Sequence, residues 1–184
     1  MACCSLKCCI ITSSIIILLS LTLCIGLVVF LPQNPKFYVT DASLSQFDYT
    51  NKTIQYSMAL NITIRNPSMK FTYDYTAIEG NAFYLDQRFS TQNVSVWKPP
   101  YVNKGGKSFS MHTVFKGQQV LNLSNTQISL FNKEKDNGSY TIAMRFILFL
   151  DKLDAKVFCG LKVPLAANNG SANGFKNTKC KFVK

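Results

Sequence analysis

Residues Ile10–Leu31, IITSSIIILLSLTLCIGLVVFL, constrain the chain most. They run twenty-two positions without a charge, between Lys7 and Pro32. As a helix the run is about 33 Å long, against a bilayer hydrocarbon core of about 30 Å. Two alternatives compete: a cleaved secretory signal and a buried core helix. A signal's apolar region spans roughly 7–15 residues and ends at a small-x-small cleavage site. Here the run is longer, and only Ser20-Leu21-Thr22 and Cys24-Ile25-Gly26 resemble such a site. The reading is an uncleaved anchor, which divides the chain into a tail (1–9), a transmembrane segment (10–31) and an outer domain (32–184).

The outer domain is long enough for one ordinary core. It holds nineteen of the twenty basic residues and all nine acids, and so carries +10 of the chain's +11. That balance suits acidic partners such as anionic headgroups, acidic polysaccharide or nucleic acid. Along the sequence the charges are scattered, which predicts a diffuse field rather than a patch.

The seven cysteines fall into two groups. Cys159 and Cys180 alone lie in the outer domain, and such a pair reads as one disulfide. It closes a loop of about twenty residues and stabilises by about 3 kcal/mol in the chain-entropy account. Cys3, Cys4, Cys8 and Cys9 flank the apolar run and read as S-acylation sites. Zinc is the rival for CC-x3-CC, but adjacent pairs lack CxxC spacing and the tail is nine residues long. Ser20/Cys24 and Thr22/Gly26 are small-xxx-small pairs that would let two anchors approach as a homodimer.

Six asparagines stand in N-x-[ST]: Asn51, Asn61, Asn93, Asn122, Asn137 and Asn169. Asn66 is excluded by Pro67. Fifteen asparagines yield about two or three sequons by chance, and all six lie beyond the anchor. Lys7 and the terminal amine precede the anchor without acids, which the positive-inside rule places in the cytosol. Together these give a single-pass type II expectation, with the tail inside and the domain outside.

Beyond Pro32 the pattern turns to period two. In Thr53–Arg65, Ile54, Tyr56, Met58, Leu60, Ile62 and Ile64 share one face, and Asn61 lies on the other. Strict alternation over thirteen residues predicts a half-buried strand, stopped by Asn66-Pro67. Tyr140–Leu150 repeats it. Further strands are expected over Phe37–Leu44, Phe71–Tyr84 (broken near Gly80), Phe89–Val96, Ser108–Phe115, Lys156–Val163 and Phe175–Val183. Turns are expected at Lys98-Pro99-Pro100, Lys104-Gly105-Gly106, Asp136-Asn137-Gly138 and Asn168-Asn169-Gly170, and a short helix within Gly117–Phe131. About eight short strands at this spacing predict an all-β, two-sheet antiparallel sandwich.

Catalysis needs groups that exchange protons or attack, held within reach of one another. The single histidine, His112, lies in an alternating run and reads as an exposed strand residue. Asp74 and Glu79 fall on opposite faces of an unbroken strand. No nucleophile-elbow, zincin, P-loop or dinucleotide motif occurs, so no catalytic, metal or cofactor residues are assigned. Lys98–Tyr101 and Lys104–Lys107 mix aromatic and basic residues; they read as solvated loops, with stacking on a sugar or nucleobase as the alternative. Nucleic acid is the wrong partner for a lumenal domain.

Several phrases then follow in a characteristic order: Phe37-Tyr38-Val39 with Asp41-Ala42-Ser43-Leu44-Ser45-Gln46-Phe47, Arg65-Asn66-Pro67, Tyr73-Asp74 with Ile78-Glu79, Gln87-Arg88-Phe89, Phe115-Lys116-Gly117-Gln118, Leu161-Lys162-Val163-Pro164-Leu165 and Thr178-Lys179-Cys180. Over residues 35–183 the chain resembles the plant harpin-induced and disease-resistance-like membrane proteins (the NHL family). The resemblance implies a late-embryogenesis-abundant group 2 domain, an immunoglobulin-like β-sandwich on one N-terminal anchor. It also implies a plasma-membrane role in pathogen response, with some relatives at plasmodesmata or responding to abiotic stress. The expected partners are proteins of defence signalling or acidic cell-wall polysaccharide. Cys159 and Cys180 match the family's paired cysteines. Two departures stand out: Asp86 replaces the glycine that many relatives carry before Gln-Arg-Phe, and the tail is short.

Overall fold

The computed structural model describes residues 6–30, 33–151, 154–166 and 174–183. Cys3, Cys4 and Asn169 lie outside the described residues, as does the expected turn at 168–170. Helix α1 spans Leu6–Phe30. It starts four residues before the apolar run, because Leu6–Cys9 contains nothing that breaks a helix and a helix once nucleated extends at little cost. The side chains from Ile10 to Leu27 are exposed or nearly so, and none is buried against another of the described residues.

The remaining elements are β1 (Lys36–Thr50), β2 (Thr53–Arg65), β3 (Tyr73–Tyr84), β4 (Gln87–Asn103), β5 (Ser108–Val120), α2 (Asn125–Asp136), β6 (Ser139–Leu150), β7 (Ala155–Pro164), β8 (Thr178–Lys179) and β9 (Lys181–Val183). They form a four-stranded sheet, β5-β2-β1-β8, against a five-stranded sheet, β4-β3-β6-β7-β9. Every strand ladder is antiparallel. The architecture is the expected immunoglobulin-like sandwich on a single helix.

β2 has the predicted bounds, with Ile54, Tyr56, Met58, Leu60, Ile62 and Ile64 all buried. Its other face points away from the core, but β2 is flanked by a strand on each edge, and Asn61 is half-buried there. Across the core, Phe37 of β1 meets Phe146 of β6 with ring centroids 4.8 Å apart. At one end of the sandwich Phe47 gathers Tyr84, Phe89, Phe131 and Tyr140. Such pairs add roughly 0.5–1.5 kcal/mol each beyond their area.

Four expectations are corrected. β3 runs through Gly80 without a break. A Cβ there would come 2.7 Å from the tip of the Phe115 ring, so this glycine admits the opposite sheet rather than ending the strand. β4 continues through Pro99 and Pro100, with a cis bond at Lys98–Pro99. It is an edge strand, and the ladder steps from Ala77↔Val96 to Tyr75↔Tyr101, leaving the prolines unpaired where no donor is required. The helix starts later than expected, after Ser124, which forms a capping box with Gln127; Gly117–Val120 instead extends β5. Finally, the last strand is two. β8 pairs with β1 and β9 with β7, so the chain changes sheets at Cys180. The Cys159–Cys180 disulfide is present at that crossing, which ties β7 to the point where the sheets exchange a strand.

Candidate functional site: two charged surfaces

Among the described residues, no group of three or more His, Cys, Asp or Glu side chains could hold a metal ion. His112 is exposed on β5, opposite Asn61. The strand carrying Asp74 and Glu79 has register shifts at Tyr75/Ala77 and Ile78/Glu79, so it is not the regular strand that simple alternation assumed. Glu79 accepts a hydrogen bond from Asn81 Nδ2 at 2.7 Å, while Asn81 Oδ1 accepts from Thr91. This is a closed structural network. The cations and aromatics, by contrast, converge.

The first surface is the outer face of β6, β7 and β9. Because Val157, Cys159, Leu161 and Val163 point into the core, Lys156, Phe158 and Lys162 point out. Ladder pairing sets Arg145 of β6 and Lys181 of β9 directly beside Phe158, which is 42% exposed. Lys156 and Lys162 are six residues apart, about 20 Å along the strand. No acid occurs on these three strands. Two carboxylates lie near them: Glu79, opposite Ile147 and engaged with Asn81, and Glu134, which accepts from the amide of Thr141, the residue opposite Lys162. The diffuse field expected from the scattered sequence is thus a patch. Lys156 and Lys162 share β7, and register brings Arg145 and Lys181 from distant sequence to either side of it.

The second surface is the end of the sandwich where the chain arrives from α1, here called the base. Lys36 pairs with Arg65, Arg65 with Ser108, and the Tyr73 hydroxyl donates to the Gln33 carbonyl at 2.6 Å. Burial raises the Tyr73 pKa, which keeps that donor protonated. Beside it lies a cleft of about 420 Å³, lined by Pro35, Phe71, Tyr73, Leu150 and Phe182 with the Asp74 carboxylate. Asp74 Oδ1 is buried there without a hydrogen-bond partner among the described residues.

Asn66 organises the base and is fully buried. Its Nδ2 donates to the carbonyls of Phe71 (2.7 Å) and Asn103 (3.0 Å), and its Oδ1 accepts from the Ser68 amide at 3.0 Å. Its own amide donates to Lys107 O, and Gly106 N to Ser68 O, both at 2.8 Å. The sequence marks Asn66 as a strand stop, an N-x-S frame excluded by proline and part of a family phrase, but not as a clamp. The signal for its clamp is the Asn-Pro-Ser turn itself, since a short amide side chain reaches the backbone two residues on.

No family model matches the chain. Among curated proteins it is 31% identical over 183 residues to NDR1/HIN1-like protein 10 of Arabidopsis thaliana, covering 89% of this chain and 78% of that one. It is 34% identical to NDR1/HIN1-like protein 3 of the same plant, covering 91% and 75%. The chain belongs to the NDR1/HIN1-like family. A third member, NDR1/HIN1-like protein 2, is 33% identical over 80% of this chain and 64% of its own length. One solved structure, from Archaeoglobus fulgidus, aligns over 70% of this chain and 98% of its own at 7% identity. The TM-score of that alignment is 0.37.

The departure of this family member at Asp86 has a structural counterpart. Leu85 and Asp86 have φ of 47° and 65°, a two-residue turn in the left-handed region that favours glycine. Aspartate tolerates that region better than most residues. Four sequon asparagines are exposed: Asn51 in the β1–β2 hairpin turn, Asn93 on β4, Asn122 after β5 and Asn137 at the α2 C-cap. Asn61 is the half-buried fifth. Cys9 lies within α1 as an exposed thiol, and Cys8 is in the same helix.

Proposed function

We propose that this family member is a membrane-anchored, non-enzymatic binding protein of plant defence, with its sandwich facing the cell wall. The observation that carries the reading is α1: its span Cys9–Leu27 has a mean hydropathy of 2.5 and none of it is buried by the rest of the protein. An apolar surface of that length needs lipid around it. Exposed sequons and a disulfide in the domain support an extracytosolic location, and the plasma membrane, with plasmodesmata as a specialised zone of it, is the site this implies. Membership of the family supports the defence role. Acylation of Cys3, Cys4, Cys8 and Cys9 would then set sorting, because the helix alone already anchors.

The basic outer face favours a second reading, an adaptor that tethers the membrane to acidic wall polysaccharide. Four cations around an exposed aromatic ring suit a polyanion with apolar sugar faces. The adaptor is tested by binding of homogalacturonan to the full chain in nanodiscs across a salt series. The adaptor binds at low salt and releases by about 0.5 M, where screening lengths fall below 5 Å. Changing Arg145, Lys156, Lys162 and Lys181 to glutamine should abolish its retention. Absence of binding at low salt rejects the adaptor and leaves a protein ligand as the target.

A further inference from the structure

The base carries exposed apolar side chains that the sandwich does not need. Met69 is 78% exposed, Val102 51% and Phe71 39%. They are not loose. Ser68 Oγ accepts from the Phe71 amide at 3.1 Å, Asn66 holds the Phe71 carbonyl, and Gly106 holds the Ser68 carbonyl. A Cβ on Gly105 would fall 2.5 Å from the Met69 carbonyl oxygen, so the 104–107 turn is fitted against the methionine backbone. The loop is built to project Met69 outward. The same end of the sandwich carries Lys36, Arg65, Lys70, Lys104 and Lys107, against Asp74, Asp151 and Asp154.

Chain length decides what meets this surface. α1 ends at Phe30, and the Tyr73 hydroxyl holds the chain at Gln33. Three residue steps span at most about 11 Å. A helix crossing a bilayer therefore brings the base to within a headgroup layer's depth of the lipid. The sequons agree. Asn51, Asn122 and Asn137 lie at the opposite end, and Asn61 and Asn93 lie within strands. The one asparagine at the base in an N-x-S frame, Asn66, has proline as x and is buried.

We propose that the base docks on anionic headgroups of the same bilayer that α1 crosses, with Met69 and Phe71 in the interface and Lys104 and Lys107 on lipid phosphates. The inference rests on the anchor reading of α1. Docking fixes the orientation of the sandwich: its long axis stands away from the membrane, α2 and the β1–β2 turn are carried outward, and the basic sheet face is held sideways. Interfacial burial of apolar side chains together with cationic attraction is how peripheral surfaces hold to lipid.

The test uses the full chain in nanodiscs, with Cys3, Cys4, Cys8, Cys9 and Cys24 changed to serine and the disulfide kept. An environment-sensitive fluorophore is placed at Met69→Cys, at Val102→Cys as an independent base probe, and at Asn137→Cys as the distal control. In phosphatidylserine-containing discs the two base probes should be quenched by headgroup nitroxide lipid and shielded from acrylamide several-fold more than the probe at position 137. Each lysine near an anionic surface contributes about fivefold, so Lys104→Gln with Lys107→Gln should lower the docked-to-undocked ratio about 25-fold. Pure phosphatidylcholine discs should reproduce that loss. Equal acrylamide access at the base and distal positions, in protein that co-fractionates with discs, overturns docking alone. Shielding indifferent to both lipid charge and the lysine pair overturns the anionic assignment. Failure to co-fractionate at all overturns the anchor and docking together.

Discussion

Asn66→Ala removes three hydrogen bonds at once: Nδ2 to Phe71 O, Nδ2 to Asn103 O, and Ser68 N to Oδ1. A typical intramolecular hydrogen bond contributes about 1 kcal/mol net, and a buried group left unpaired costs about 1–3 kcal/mol. Two of the three bonds are buried, so water cannot replace both partners. The expected loss is about 4 kcal/mol, a large share of the ~5–15 kcal/mol by which a domain is stable. Asn66→Asp should be at least as costly. It keeps the acceptor for Ser68 but turns a negative oxygen towards two carbonyls. The assay is denaturant unfolding of the full chain in nanodiscs, followed by fluorescence of Trp97, the chain's one tryptophan. Thr40→Ala, which removes an exposed bond to Asn61 O, serves as control and should cost less than about 0.5 kcal/mol. A loss below about 1 kcal/mol for both Asn66 variants would refute the clamp, because then the turn holds its shape without the side chain.

Gly80→Ala should destabilise by about 1–3 kcal/mol through overlap with the Phe115 ring, and Phe115→Leu in the same chain should recover part of that; an additive pair of losses would show that the ring is not the obstacle. Burial, followed by the nearby carboxylates of Asp48, Glu134 and Asp136, pushes the Tyr140 pKa up to about 12; burial first also raises Tyr84, helped by its bond to Glu134, and Tyr75. The folded state therefore holds these protons more tightly than the unfolded chain, so the stability they contribute is intact below pH 10 and falls as pH rises through about 12. Tyrosinate formation at Tyr75, Tyr84 and Tyr140 should coincide with unfolding, and ionisation of these three near the ordinary value in folded protein would contradict this. Replacing Cys3, Cys4, Cys8 and Cys9 by serine should leave the protein in membranes but partly retained internally; normal surface arrival, with no hydroxylamine-sensitive label on the wild type, would reduce the tail to a bland flank.

Most of the fold was legible because period-two burial writes itself into the sequence. β2, β6 and β7 carry large apolar residues at every second position and little else competes. Legibility failed where a residue has two meanings. Gly80 and Pro99-Pro100 signal a break locally, yet one accommodates Phe115 from the opposite sheet and the others sit where an edge strand needs no donor. Phe175–Val183 looks like one strand, since nothing in its composition states that Cys180 is where the chain changes sheets. The two charged surfaces were the least legible. Arg145 and Lys181 come to flank the Lys156–Lys162 strand only through ladder register. Met69 reads as an ordinary loop residue until Gly105 and Asn66 are seen to hold it out.

The central claim is that α1 crosses the membrane and leaves the sandwich outside. It is tested most directly by glycosidase digestion of the native protein together with protease treatment of intact protoplasts carrying an N-terminal epitope. The account predicts a mobility shift on deglycosylation, digestion of the sandwich from outside, and an epitope protected until the membrane is opened. No shift, with the sandwich protected and the epitope lost, would contradict it.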